Sequence, residues 1–382
     1  MKFGFKSFNH WDPLKKCLIG SVYPTDFFAD HPDTEIADSL SRINQETRED
    51  LDNLEKTLQQ MGVKTYRSDE LQRVYKKYRG VKQFMEEKGH VPKPFMSPRD
   101  DYIVIGNHLV KTASESSYDT TDAPWAGCED FIQSPYLFEA PSVMRAGRDL
   151  MIDTHPTNGD SMGFQDKFIP WYNENFNTNF RGHIVEVGGH SDGTMCLVKP
   201  GLIISDSNVE KFNETYPGWK VIHTPRPENE YTKAFKNMKD QKSQHRFKKY
   251  WIANEEGNNS LHEFIDLWLN KSVGYVFETN FDVNALGVNE KTIISSGPSK
   301  ELEAQLKQEG VELVVSKIRH RYFWDGGVHC VTVDLERDST LEDYFPDRGD
   351  KNYTFGRIWK DGKLRKECCL LYTSPSPRDL ST

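Results

Sequence analysis

Residues able to do chemistry gather in four short stretches of this chain. The first is Arg319-His320-Arg321-Tyr322-Phe323-Trp324-Asp325-Gly326-Gly327-Val328-His329-Cys330-Val331-Thr332-Val333-Asp334. Two glycines precede a short apolar run, and Cys330 stands at that run's start. Glycine has no Cβ, so another group can approach the backbone closely there. A thiol so placed can meet a ligand. It can equally be a small buried residue, since free cysteine is among the most buried types. On this stretch alone both readings stand.

The second stretch, Gly188-Gly189-His190-Ser191-Asp192-Gly193, follows the strand-like Ile184-Val185-Glu186-Val187. In extended chain, residues i and i+2 share a side, so His190 and Asp192 are expected to face one cleft. The third is Pro98-Arg99-Asp100, where Asp100 could also be a plain turn cap. The fourth runs from Phe138 to Asp149 and holds Glu139, Arg145 and Arg148. An ordinary ion pair between Glu139 and either arginine is its plain alternative. A metal site at His183, Glu186, His190 and Asp192 is disfavoured. Strand parity sends His183 and Glu186 to opposite faces, and no HExxH helix signature occurs. No GxxxxGK[ST] phosphate loop occurs either.

These stretches need elements to hold them. Trp11-Asp12-Pro13-Leu14-Lys15-Lys16-Cys17-Leu18-Ile19-Gly20 reads as a turn entering a strand. Ile36, Leu40, Ile43, Leu51, Leu54, Leu58 and Met61 recur at mostly helical spacing over residues 35–61, and Gly62 closes that helix. Apolar runs flank Gly106-Asn107, Lys199-Pro200-Gly201 and Asn289-Glu290, which predicts three hairpins. Helices are expected after the second, over 207–217, and after the third, from Pro298 to Gly310. Unequal strand–hairpin–helix units predict one domain of repeated α/β modules over residues 1–367. Residues 231–270 look like an insertion, with a basic run followed by a capping box at Ser260-Leu261-His262-Glu263 and an amphipathic helix. Residues 368–382 look like translated vector or adapter sequence, a non-native tail.

The bulk numbers narrow the class. The 382 residues carry a formal net charge of −9, which argues against a general nucleic-acid surface. No run of 18 apolar residues predicts a membrane span. The N-terminus lacks a long apolar leader, so a cytoplasmic location is the expectation. The six cysteines, Cys17, Cys128, Cys196, Cys330, Cys368 and Cys369, fit neither a disulfide framework nor CxxC knuckles.

Taken in order, Trp11-Asp12-Pro13-Leu14-Lys15, Pro98-Arg99-Asp100, Arg145-Ala146-Gly147-Arg148-Asp149, His190-x-Asp192 and Gly326-Gly327-Val328-His329-Cys330 resemble the amidinotransferase family. That family includes glycine and inosamine-phosphate amidinotransferases. The resemblance implies a five-bladed α/β propeller of ββαβ-type modules, the pentein fold. It implies Cys330 as nucleophile and His190 as general acid/base. Glu139 stands where the family usually carries an Asp that orients the histidine, and Asp100 and Asp192 match the carboxylates that hold a guanidinium. It further implies small-molecule partners, an arginine-like donor and an amine acceptor, with no metal or organic cofactor and a homodimer among the expected assemblies. Phe277-Glu278-Thr279-Asn280 and Ser207-Asn208-Val209 depart from the family's residues for the donor's amino-acid end. The acceptor therefore stays open among glycine, another amine and an aminocyclitol phosphate. A guanidino-group hydrolase of the same superfamily and a non-catalytic propeller used as a binding module are the alternatives.

Overall fold

The computed structural model describes residues 3–68, 80–87, 91, 94–112, 125, 128, 130–153, 163–185, 190–206, 212–224, 255, 257–269, 273, 281–297, 299–355, 359–360 and 363–364. The basic run over 231–250, the departures at 207–209 and 277–280, and the tail 368–382 lie outside these residues.

Fifteen strands form five three-stranded sheets of one pattern among the described residues. In each, a middle strand pairs antiparallel with one neighbour, its hairpin partner in four of the five, and parallel with a third strand that follows it later in the chain. β3 (Tyr102–Ile105), β4 (His108–Lys111) and β5 (Phe131–Gln133) make one sheet. β6 (Val143–Ala146), β7 (Asp149–Asp153) and β8 (Arg181–Val185) make the next. Then come β9 (Met195–Lys199), β10 (Leu202–Ser205) and β11 (Lys220–His223), followed by β12 (Leu286–Asn289), β13 (Thr292–Ser295) and β14 (Glu312–Val315). The fifth sheet closes the ring. β1 (Leu14–Ile19) lies between β2 (Lys64–Arg67), parallel, and β15 (Thr332–Arg337), antiparallel. The architecture is a five-bladed α/β propeller.

All three predicted hairpins form. A fourth, β6–β7, was not expected, because its strands carry Arg145 and Asp149 and so do not read as apolar. Gly106, Gly147 and Gly201 turn three of the four at φ of +58°, +64° and +85°, a region that strains residues with a Cβ. Tyr102-Ile103-Val104-Ile105 and Leu202-Ile203-Ile204-Ser205 are buried throughout. Strands covered on both faces read as continuous apolar runs.

The long helix spans Thr34–Gln60, and its Ile36, Leu40, Ile43, Leu51, Leu54 and Leu58 enter the largest core cluster. Burying each such side chain stabilises by roughly 1.5–3 kcal/mol. Asp33 caps the helix by accepting from the amides of Glu35 and Ile36. Gly62 ends it at φ +82°. The described helix after β10 covers Phe212–Thr215, and that after β13 covers Lys300–Gln308 with Ser299 as its cap. The capping box expected at Ser260 is displaced. Asn258 is the cap, its Oδ1 accepting from Leu261 N–H at 3.0 Å, and Ser260 sits in the first turn. No helix among the described residues is long and apolar enough to cross a membrane.

A buried ionic hub ties the blades together. Asp334 on β15 accepts from Arg99 (2.8 Å), Arg145 (2.6 Å), Arg337 (2.7 Å) and Ser7 Oγ (3.0 Å). Arg99 enters the β3 sheet, Arg145 belongs to β6, and Arg337 also reaches Gly287 O on β12 at 2.9 Å. Burial alone would raise the Asp334 carboxyl. The three guanidinium groups overcome it and hold that carboxyl well below the usual range. A second hub joins Asp149 to Arg181, His183 and Arg348. Arg145 and Asp149, in the fourth polar stretch of the sequence, are thus structural charges.

Candidate active site

The candidate residues share one position in the repeat, the turn that enters the first strand of each blade. Asp100 ends a 3-10 turn (Pro98–Asp100) leading into β3. Glu139 caps the turn Ala140–Ser142 before β6. His190 caps the turn Ser191–Gly193 before β9, and Asp192 lies in that turn. Cys330 lies in the turn before β15. Four pseudo-equivalent turns thus gather at one end of the ring. Short bonds join them: Arg99 N–H donates to Cys330 O at 3.3 Å, and Ser191 Oγ donates to Ser142 O at 2.8 Å.

The structure brings all five predicted residues together. Asp192 Oδ2 accepts from Cys330 Sγ at 3.5 Å and from His329 Nδ1 at 2.8 Å. Its other oxygen is buried with no hydrogen-bond partner among the described residues. His190 Nε2 faces Glu139 Oε2 at 3.4 Å. The route to this arrangement differs from the sequence reasoning. The described part of β8 is Arg181–Val185, and His190 caps a turn, Ser191–Gly193, where alternating strand had been expected for His190 and Asp192. The turn sends Asp192 inward, 1% exposed, and leaves His190 at the rim.

The charges in the site are mutually arranged. Burial would push the His190 imidazole down, but the hydrogen bond and charge of Glu139, with Asp100 and Asp192 adding, hold it well above its usual value. Burial, with Arg99 beside it, pushes His329 down, so the imidazole is neutral and donates Nδ1–H to Asp192. Burial would raise Asp192. The His329 bond and the His190 charge hold it below the usual carboxylate range, so it is ionised. By contrast, burial pushes the Cys17, Cys128 and Cys196 thiols up to about 12.

Two residues were missed from sequence. His329 is one. The other is Asn284, fully buried just before β12. Its Oδ1 accepts the amides of His329 (2.9 Å) and Cys330 (3.1 Å), and its Nδ2 donates to Cys330 Sγ at 2.9 Å. Asn284 stands two residues ahead of its strand, as Asp100 and Cys330 do, and that register was the available signal. Gly327 clears room for this amide: a Cβ there would lie 2.7 Å from Asn284 Cβ and Oδ1. The glycine therefore accommodates a side chain where the sequence suggested a ligand.

Plain alternatives resolve the same way. His183 bonds Asp149 through Nε2 and accepts Tyr353 N–H at Nδ1, 3.0 Å. It belongs to the second hub, away from His190. Glu139 meets His190, while Arg145 meets Asp334 and Arg148 meets Asp343 at 3.4 Å. Gly189-His190-Ser191-Asp192-Gly193 spells G-x-S-x-G, yet Ser191 is fully buried and its hydroxyl is committed to Ser142 O. It is no exposed nucleophile.

The fold is similar to that of known proteins. The chain is 89% covered by the inosamine-phosphate amidinotransferase of Streptomyces griseus, with 99% of that protein covered, TM-score 0.54 and 17% identity. An amidinotransferase of the saxitoxin biosynthetic pathway from Microseira wollei gives the same coverage, TM-score 0.55 and 18% identity. The fold is that of the pentein amidinotransferases. In sequence, the chain is 24% identical over 217 residues to the mitochondrial glycine amidinotransferase of Gallus gallus. It is 23% identical over 213 residues to an L-arginine:L-lysine amidinotransferase of Pseudomonas savastanoi pv. phaseolicola. These matches take in 54% of this chain but only 40% and 46% of the relatives' own lengths. No family model matches the chain.

Proposed function

We propose that the chain is an amidinotransferase that moves the amidino group of L-arginine, or a similar guanidino donor, to an acceptor amine. The observation that carries this reading is Asp192. One of its oxygens sits 3.5 Å from Cys330 Sγ, and the other is buried and unmatched among the described residues. A guanidinium is planar, permanently charged and rich in donors. Bound to Asp192 and Asp100, it would present its central carbon to the sulfur.

The steps then follow from the charges. The Cys330 thiolate attacks the guanidinium carbon and forms an S–C bond. The C–N bond to ornithine breaks, its electron pair leaves on that nitrogen, and His190, charged through Glu139, protonates it. The acceptor amine next attacks the amidino-cysteine carbon. It gives its proton back to His190 and the S–C electron pair returns to sulfur. The Glu139 carboxylate takes the orienting place that an acid holds in other nucleophile–base–acid sets.

The test is incubation with guanidino-labelled arginine, followed by mass spectrometry of the Cys330 peptide. An amidino adduct in wild type, absent from Cys330→Ala, is expected. No adduct in wild type would end the proposal. Ornithine production that depends on added amine supports transfer, whereas citrulline from arginine alone assigns the site to hydrolysis.

A further inference from the structure

We infer that Asn284 is a further catalytic residue of this site, the amide that holds the Cys330 sulfur and stabilises its anionic form. The inference deepens the proposed function and rests on Cys330 being the nucleophile.

Three observations carry it. The orientation of the amide follows from its surroundings. An asparagine's oxygen and nitrogen are hard to tell apart by shape, and hydrogen bonding must assign them. Here two backbone N–H groups, of His329 and Cys330, converge on one end at 2.9 and 3.1 Å. Only the oxygen can accept both, so the NH2 end faces Sγ at 2.9 Å. The approach is also built in, since Gly327 leaves the space that any Cβ would take from the amide. Finally, the repeat gives Asn284 the place that Asp100, Glu139, His190 and Cys330 occupy in the other four blades, the entry to the first strand.

The chemistry explains why such a donor is useful. Asp192 Oδ2, beside the sulfur, disfavours a thiolate until a guanidinium neutralises it. A hydrogen bond donated to a charged group favours that charged form. Asn284 supplies one from a neutral group, without adding a cation that would repel the guanidinium. It also leaves the attacking side of the sulfur to the substrate.

The experiment is the pH dependence of Cys330 alkylation by iodoacetamide, read by mass spectrometry, with Cys330→Ala as background. Asn284→Asp keeps an oxygen for the two backbone amides and puts a second oxygen against the sulfur. The alkylation midpoint should rise by about one pH unit or more, slowing the reaction at neutral pH by about tenfold. Gly327→Ala, which pushes the same amide from behind, should move the midpoint in the same direction. Folding is checked by circular dichroism. An unchanged midpoint in either folded variant overturns the inference. Loss of the fold in both, with Cys330→Ala folded, also overturns it, because the amide would then serve the turn and not the sulfur. Alkylation does not depend on transfer. Failure to find an arginine adduct would thus defeat the proposed function while this measurement still gave its own answer.

Discussion

The Glu139–His190 pair offers the most quantitative test of the site. The perturbation is Glu139→Gln, which keeps an oxygen toward His190 and removes the charge. At the observed 3.4 Å, two unit charges attract by about 1 kcal/mol in bulk water and about 5 kcal/mol at an effective dielectric constant of about 20. Both side chains are about a third exposed, 37% and 30%, so solvent screening draws the value toward the lower figure. Roughly 1.5 kcal/mol corresponds to about one pH unit. The His190 midpoint, followed by NMR with labelled histidine, should therefore fall by about one unit in Glu139→Gln. The sign extends to stability. A histidine raised in the folded state contributes stability that is fully present below its unfolded value, about 6.5, and lost as pH rises through its folded value. Glu139→Gln should thus cost stability at pH 6 and progressively less as pH rises through the folded-state midpoint. If amidino transfer needs His190 as an acid, the alkaline limb of the rate profile moves down by the same unit. A His190 midpoint that moves by less than about 0.3 unit would refute the reasoning, because the charge would then come from elsewhere.

Other outcomes follow from the same contacts. Asp192→Asn removes the proposed charge-assisted seat of the guanidinium, worth about 1.5–3 kcal/mol, so kcat/KM for arginine should fall by at least about tenfold, while iodoacetamide should react faster with Cys330 in the absence of substrate; slower alkylation would contradict the account. Asp334→Asn strands three buried guanidinium groups, and urea denaturation should show a loss of about 3–5 kcal/mol. Because Asp334 is depressed in the folded state, its contribution is present above the unfolded value and lost as pH falls through the folded one, so the variant should lose less stability on acidification than wild type. Gly287→Ala would drive a Cβ into the carbonyl of His10. A melting temperature unchanged from wild type would show that this approach is looser than described; overpacking of this kind costs about 1–3 kcal/mol.

Much of this was legible before any coordinates. The helix over Thr34–Gln60 announces itself through apolar spacing, and three hairpins through glycine between apolar runs. Cys330, His190, Glu139, Asp100 and Asp192 converge because each stands at the same point of a repeated unit, which the ordered motifs preserved. What escaped had a physical reason. The β6–β7 hairpin carries Arg145 and Asp149 inward, where partners in distant segments satisfy them, so no apolar pattern marks it. Asn284 is a single amide with no motif around it, and its partners lie 45 and 46 residues away in sequence. His190 and Asp192 share a side through a tight turn, Ser191–Gly193, which strand alternation does not foresee. Asn258 took the cap from Ser260 two residues early, an error typical of helix ends.

The pairing of β1 with β15 joins segments more than three hundred positions apart, and Cys330 sits just ahead of β15. Until the late segment docks on the early one, Asp334 has not gathered its arginines and Cys330 has no fixed neighbours. Ring closure is therefore what gives the proposed nucleophile its fixed surroundings, and fraying of β1 or β15 is expected to release them before the remaining blades loosen. Amide exchange at Leu18 and a change in the Cys330 alkylation rate should then set in together under mild urea, ahead of the exchange of Ile103 or Leu197.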